Sequence, residues 1–223
     1  MRICGLVAAF NEESTIVAVL KGARPFLEDI VVVDDGSQDQ TGALAQRAGA
    51  RVIRHLANQG KGVAVRTGLS YVLRQDFTHV LFIDADLQHN PSDIRLLVDR
   101  ARDGVGDFVL AERAFNKESM PRSRYYANTI GSRVMSKLTA TPIRDSQSGF
   151  RLIRSELLRS LTLTARRYEI EAEILVKLVR RGARIERVAV ASTYGGARSK
   201  MRPIRDVFRI CMLTMHYRYF CRA

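Results

Sequence analysis

Two aspartates one residue apart close an apolar run, Val80-Leu81-Phe82-Ile83-Asp84-Ala85-Asp86. Side chains two positions apart on a strand point to the same face, so Asp84 and Asp86 present paired carboxylates at the strand's carboxyl end. Carboxylates that close repel each other unless a cation or a hydrogen-bond network neutralises them. A hard divalent ion such as Mg2+ or Mn2+, bound through oxygen, does this well, and an ion that keeps open positions can then hold a diphosphate. A D-x-D at a strand end can equally cap a following helix, so its surroundings decide the chemistry.

The elements that must position the pair are legible on either side. Apolar strands are expected near 2–9, 28–34, 50–54, 78–84 and 106–111, with helical patterns near 13–24, 40–48, 60–74 and 91–102 between them. That alternation predicts an α/β fold of Rossmann-like βαβ units with a mostly parallel central sheet and helices on both faces. Ligands in such sheets sit beyond the carboxyl ends of the strands. Three polar clusters fall there: Asn11-Glu12-Glu13 after the first strand, Asp34-Asp35-Gly36-Ser37 after the second, and Asp84-Ala85-Asp86 after the fourth.

Each cluster has a plain reading beside the functional one. Glu12 and Glu13 open a helix, where the macrodipole favours acids. Asp34 to Ser37 has the composition of a turn, yet two adjacent acids after a valine-rich strand put at least one carboxylate over the sheet edge. Asn58-Gln59-Gly60-Lys61-Gly62 is a glycine-bearing loop at a helix start, suited to a phosphate or to an ordinary turn. Gln88 can add a neutral oxygen beside Asp86. His89, alone in a polar loop, reads as structural or exposed, and Asn90-Pro91 begins the next helix. The basic region from Arg113 to Arg124, with Lys117 and Arg122, reads as irregular; its cations follow the fifth strand and can reach the same edge. Glu169, Glu171 and Glu173 open a helix and read mostly as solvated or structural. Asp145 and Glu169 are the candidates for a general base if the reaction needs one.

Charge sharpens the division of labour. Residues 1–112 carry 12 Lys/Arg against 15 Asp/Glu, residues 113–167 carry 12 against 3, and residues 168–223 carry 12 against 5. The second half is therefore cationic and suited to phosphates or an anionic membrane surface, whereas an acidic first half without zinc-finger or RNA-binding motifs argues against a nucleic-acid partner. With 223 residues and 46% hydrophobic content the chain reads as one domain. We divide it, at the change of charge sign, into a first half at 1–112, a second half of the same domain at 113–202 and a basic amphipathic helix at 203–223. Three cysteines without metal-type spacing and no membrane-length apolar run lead us to expect a cytoplasmic, peripherally membrane-associated protein.

Taken in order, Ala8-Ala9-Phe10-Asn11-Glu12-Glu13, Val31-Val32-Val33-Asp34-Asp35-Gly36-Ser37, Asn58-Gln59-Gly60-Lys61-Gly62, Asp84-Ala85-Asp86-Leu87-Gln88-His89-Asn90-Pro91, Asp145-Ser146-Gln147-Ser148-Gly149-Phe150-Arg151 and Tyr194-Gly195-Gly196-Ala197-Arg198-Ser199-Lys200 resemble a family 2 glycosyltransferase of GT-A fold. The branch it looks like is the dolichol-phosphate mannosyltransferase and polyprenyl-phosphate glycosyltransferase group. Ala8 departs from the pattern, which often has proline there. The resemblance implies inverting transfer from a nucleotide-diphosphate sugar to a polyprenyl phosphate. Mg2+ or Mn2+ would be held by Asp84, Asp86 and Gln88. The nucleotide would meet Ala8, Phe10, Asn11, Glu12, Asp35, Gly60, Lys61, Asp84 and Ala85, and phosphates would be gripped by Arg113, Arg124, Asn128, Arg198 and Lys200. Asp86, Arg198 and Lys200 would carry the catalytic step. A saccharide hydroxyl acceptor, served by Asp145 or Glu169 as base, is the competing expectation.

Overall fold

The computed structural model describes residues 1–104, 106–113, 122–191 and 212. The loop cations Arg198 and Lys200, the side chain of Arg124 and the C-terminal helix expected at 203–223 lie outside the described residues, Met212 excepted.

Seven strands, β1 (Ile3–Ala9), β2 (Asp29–Asp34), β3 (Arg51–Arg54), β4 (His79–Asp84), β5 (Phe108–Arg113), β6 (Arg151–Arg154) and β7 (Ile185–Val190), form one sheet in the order β3-β2-β1-β4-β6-β5-β7. Helices α1 (Ile16–Ala23), α2 (Thr41–Arg47), α3 (Lys61–Val72), α4 (Ile94–Arg102), α5 (Arg122–Thr139), α6 (Ser155–Arg159) and α7 (Ile170–Arg180) complete the alternation. Each expected strand and helix of the first half is present within a few residues. Two elements depart from expectation. The chain is helical from Arg122, where the basic region was read as irregular through Arg124. Arg151–Arg154 forms β6, which runs antiparallel to β4 and β5 while every other pairing is parallel. Four residues are too few for a periodic signal. The boundary drawn at residue 112 falls inside β5, so the two expected halves share the sheet.

The core lies on both faces, and strand alternation assigns each residue. Ile3, Val7 and Ala9 of β1 pack with Ile16 and Leu20 of α1 and Leu97 of α4. Cys4 and Leu6 pack with Leu69 of α3 and with Ile174 and Leu178 of α7. Along β4, Leu81 and Ile83 join the first layer, Val80 and Phe82 the second. Asp84, the next even residue, is therefore presented on the α3/α7 side.

Candidate active site

The site begins where the strand order turns. β1 lies between β2 and β4, and register pairs Ala8 with Asp84 and Ala9 with Asp34, so the acidic clusters share one edge. This is the crevice at which open α/β sheets bind ligands. β6, being antiparallel, starts at that same edge and brings Ser148 and Gly149 to the end of β4.

The loop after β1 and the loop after β2 are stitched into one wall. The Asn11 amide donates to Ser37 Oγ at 2.9 Å and the Gln38 amide to Asn11 Oδ1 at 2.9 Å. The Glu12 amide donates to Thr41 Oγ1 at 2.7 Å, and the Gln40 amide to Glu13 Oε2 at 3.0 Å. Asn11 sits at φ 50°, a left-handed conformation that Asn tolerates better than most residues. Phe10 precedes it at the open end of β1.

Asp35, only 3% exposed, holds the next loop. Its carboxylate accepts from the amides of Gln59 (3.0 Å) and Gly60 (2.8 Å) and from His55 Nδ1 (2.7 Å), whose Nε2 pairs with Thr67 Oγ1 at 3.0 Å. Gly60 at φ 103° makes the turn possible: a Cβ there would meet the Arg166 carbonyl at 2.5 Å. The turn launches α3 and places Lys61 in the site. The ammonium of Lys61 lies 2.6 Å from Asp84 Oδ1 and 2.6 Å from Glu171 Oε1, so it bridges the end of β4 and the start of α7. A small cavity, ≈ 20 Å³ and lined in part by Ala8, Lys61, Asp84, Gly149 and Glu171, lies beneath them.

Asp84 and Asp86 are electrostatically unequal. Burial disfavours the charge on Asp84, but Lys61 overrides it and draws the carboxyl down to about 2. Asp86 is raised to about 6 by burial and by the Asp84 charge. Beyond it the chain bends through Leu87 at φ 58°, an uncommon conformation for a non-glycine residue, and the Gln88 amide donates to Asp86 Oδ1 at 3.1 Å. The Gln88 side chain faces Arg113, whose NH1 donates to its Oε1 at 3.4 Å. Asp145, fully buried, grips Arg113 from behind through Nε (2.6 Å) and NH2 (3.1 Å).

The carboxylate-and-amide set Asp84, Asp86 and Gln88 offers oxygen donors alone, with surplus negative charge at Asp86, and fits a hard divalent ion. Among the described residues no group of three or more His, Cys, Asp or Glu is placed to hold a metal.

Of the remaining expected residues, Asn128 on α5 is 5% exposed with its Oδ1 unpaired among the described residues. Glu169 turns back to accept from the amides of Arg166 and Arg167, both at 3.2 Å. His89 takes the structural of its two expected readings: it is 4% exposed, packs on Phe150 at 5.0 Å, and is held to about 4 by burial. Glu171 gains a place that the sequence did not assign, beside Lys61. A glutamate between apolar Ile170 and Ala172 at a helix start was the only signal for it. Arg151, fully buried, donates to the carbonyls of Ser146, Ser148 and Glu171, and so ties the approach to β6 to α7.

Sheet order, crevice and the carboxylates at the strand ends define a GT-A-type architecture. Residues 6–162 match the model of Glycosyl transferase family 2, and the chain belongs to that family. It is 32% identical over 203 residues to an uncharacterized protein of Methanocaldococcus jannaschii, covering 85% of this chain and 87% of that one. It is 29% identical over 217 residues to the dolichyl-phosphate hexose transferase of Haloferax volcanii, covering 93% and 92%. Mycobacterium tuberculosis glucosyl-3-phosphoglycerate synthase, solved with Mn2+, UDP-glucose and phosphoglyceric acid, superposes with a TM-score of 0.78 at 24% identity over 97% of this chain and 79% of that one. This likeness establishes the fold.

Proposed function

We propose that this glycosyltransferase moves a sugar, with inversion, from a nucleotide-diphosphate sugar to a polyprenyl phosphate at a membrane surface. The observation that carries the donor half is the Asp84–Asp86–Gln88 oxygen set at the crevice where the ends of β1, β2 and β4 meet. A bound Mg2+ or Mn2+ would act as a Lewis acid toward the departing nucleoside diphosphate. The wall made by residues 10–13 and 37–41, with Ala8 and Ala85, would border the base and ribose, and Asp35 would support it by fixing the loop to Lys61.

The acceptor half rests on the relative named as a dolichyl-phosphate hexose transferase and on the cations after β5. A phosphate monoester is anionic at neutral pH. One of its oxygens can attack the anomeric carbon as the bond to the diphosphate breaks, with no proton to remove. Asp145 supports this reading, because both its oxygens are engaged by Arg113 and it is buried. Arg113, Arg124, Asn128, Arg198 and Lys200 would hold the phosphates.

The test is transfer by purified protein with Mn2+, polyprenyl phosphate and a panel of UDP-glucose, GDP-mannose and UDP-N-acetyl sugars. A thermal-shift screen with the corresponding nucleotides identifies the donor first. Inverted anomeric configuration in a lipid-linked product is expected. Transfer to free saccharides alone would overturn the acceptor assignment.

A further inference from the structure

A cation-binding carboxylate must be anchored without its charge being spent. Asp84 has an ammonium 2.6 Å away, a contact that alone would make a neutral pair and leave little attraction for a divalent ion. Glu171 changes that balance. Its Oε1 is also 2.6 Å from Lys61, and its Oε2 has no hydrogen-bond partner among the described residues. Burying a carboxylate at 7% exposure is costly, and Lys61 is the counter-charge set against it. Its backbone is fixed as well, because Arg151 NH1 donates to the Glu171 carbonyl at 2.6 Å.

We propose that Glu171 sets the charge at Asp84 through Lys61: it shares the ammonium and so leaves the cluster with net negative charge for a divalent cation. The inference rests on the metal-site reading of Asp84 and Asp86. Two carboxylates around one ammonium carry one net negative charge, to which Asp86 adds a second. Without the Glu171 charge, Lys61 neutralises Asp84 and only Asp86 attracts the ion.

Mn2+ alone, titrated into the protein and followed by the EPR signal of the free ion, tests this. Glu171→Gln keeps shape and hydrogen bonding, and its Kd for Mn2+ should rise about tenfold. Adding Lys61→Met removes the unshared ammonium and should bring Kd back to within about threefold of wild type. A purely structural pair predicts the opposite, with the second change adding to the first. The double variant replaces a buried charged pair by uncharged groups, which folds commonly tolerate. Unchanged Mn2+ binding in Glu171→Gln, or still weaker binding in the double variant, overturns the proposal. Asp86→Ala is measured in parallel. Wild-type binding there sinks the metal site itself, whereas its loss alongside an unaffected Glu171→Gln sinks only the role of Glu171.

Discussion

Gly149 stands against the carboxylate of Asp84 so closely that a Cβ on it would lie 2.5 Å from Oδ1 and nearer still to Oδ2. Antiparallel β6 creates this contact by starting where β4 ends. Together with Lys61 it confines Asp84 from two sides. Gly149→Ala must therefore push the carboxylate out of place or strain the backbone. We expect a loss of roughly 1–3 kcal/mol in stability and about 10–100-fold in Mn2+ affinity. Calorimetry and EPR titration check both, and a variant matching wild type in both would mean that Asp84 swings freely.

The unequal aspartates predict opposite responses to pH. An unfolded aspartate titrates near 3.8, whereas native Asp86 keeps its proton to about 6. Between those values the native state binds more protons than the unfolded state, so this residue's contribution to stability falls as pH rises through the window. Asp86→Asn should then stabilise the metal-free protein above pH 6, by at most about 3 kcal/mol, and the gain should vanish below pH 4 while transfer is abolished. Asp84, lowered to about 2, contributes stability above pH 4 that is lost as pH falls toward 2. Asp84→Asn should destabilise the protein at neutral pH. Melting temperatures of both variants in chelator from pH 3.5 to 8 decide the matter, and shifts of the same sign would contradict this electrostatic picture.

What the sequence disclosed followed from local rules. Alternation along β1, β2 and β4 and the acids at their ends located the crevice, because period-2 burial and short turns are encoded within each segment. Long-range partners were hidden. Nothing in Arg151–Arg154 announced an antiparallel strand, and only that strand brings Gly149 to Asp84. The glycine loop around Lys61 suits a phosphate or an ordinary turn, and nothing local points to its bonds with Asp84 and with Glu171, 110 positions onward. For His89 the structural of the two expected readings holds: it is buried against Phe150.

Asp145 distinguishes a supporting carboxylate from a catalytic base. Removing one partner from its pair with Arg113 leaves a mostly buried cation uncompensated, so Asp145→Asn should cost several kcal/mol, about 3–5 if the pair behaves as fully buried. It should also lower turnover by loosening Gln88. The shape of the pH–rate profile should persist, since no proton-accepting group is lost. Disappearance of its acidic limb, with a rate loss on the order of 10²–10⁴, would identify Asp145 as a base.

The cationic C-terminal quarter, with 12 Lys/Arg against 5 Asp/Glu over residues 168–223, should bind anionic vesicles reversibly. Among the described residues no helix is long and apolar enough to cross a membrane. Flotation at low ionic strength should retain the protein, and salt should release it. Failure to float at low salt would remove the membrane from the proposal.

The nature of the acceptor is decided by which charges matter. If a lipid phosphate attacks, Glu169→Gln should keep most of its activity, because this carboxylate holds the Arg166 and Arg167 amides and a glutamine oxygen can still accept from them. Arg198→Ala and Lys200→Ala should each lose on the order of 10²-fold or more, as removal of a charge-stabilising donor does. If a hydroxyl attacks, a base is required, and either Glu169→Gln or Asp145→Asn should collapse while the lipid phosphate fails as a substrate. Rates for these variants with polyprenyl phosphate and with free sugars separate the cases. Activity confined to sugars, with Glu169→Gln inactive, would replace the phosphate acceptor by an alcohol and assign Glu169 as its base.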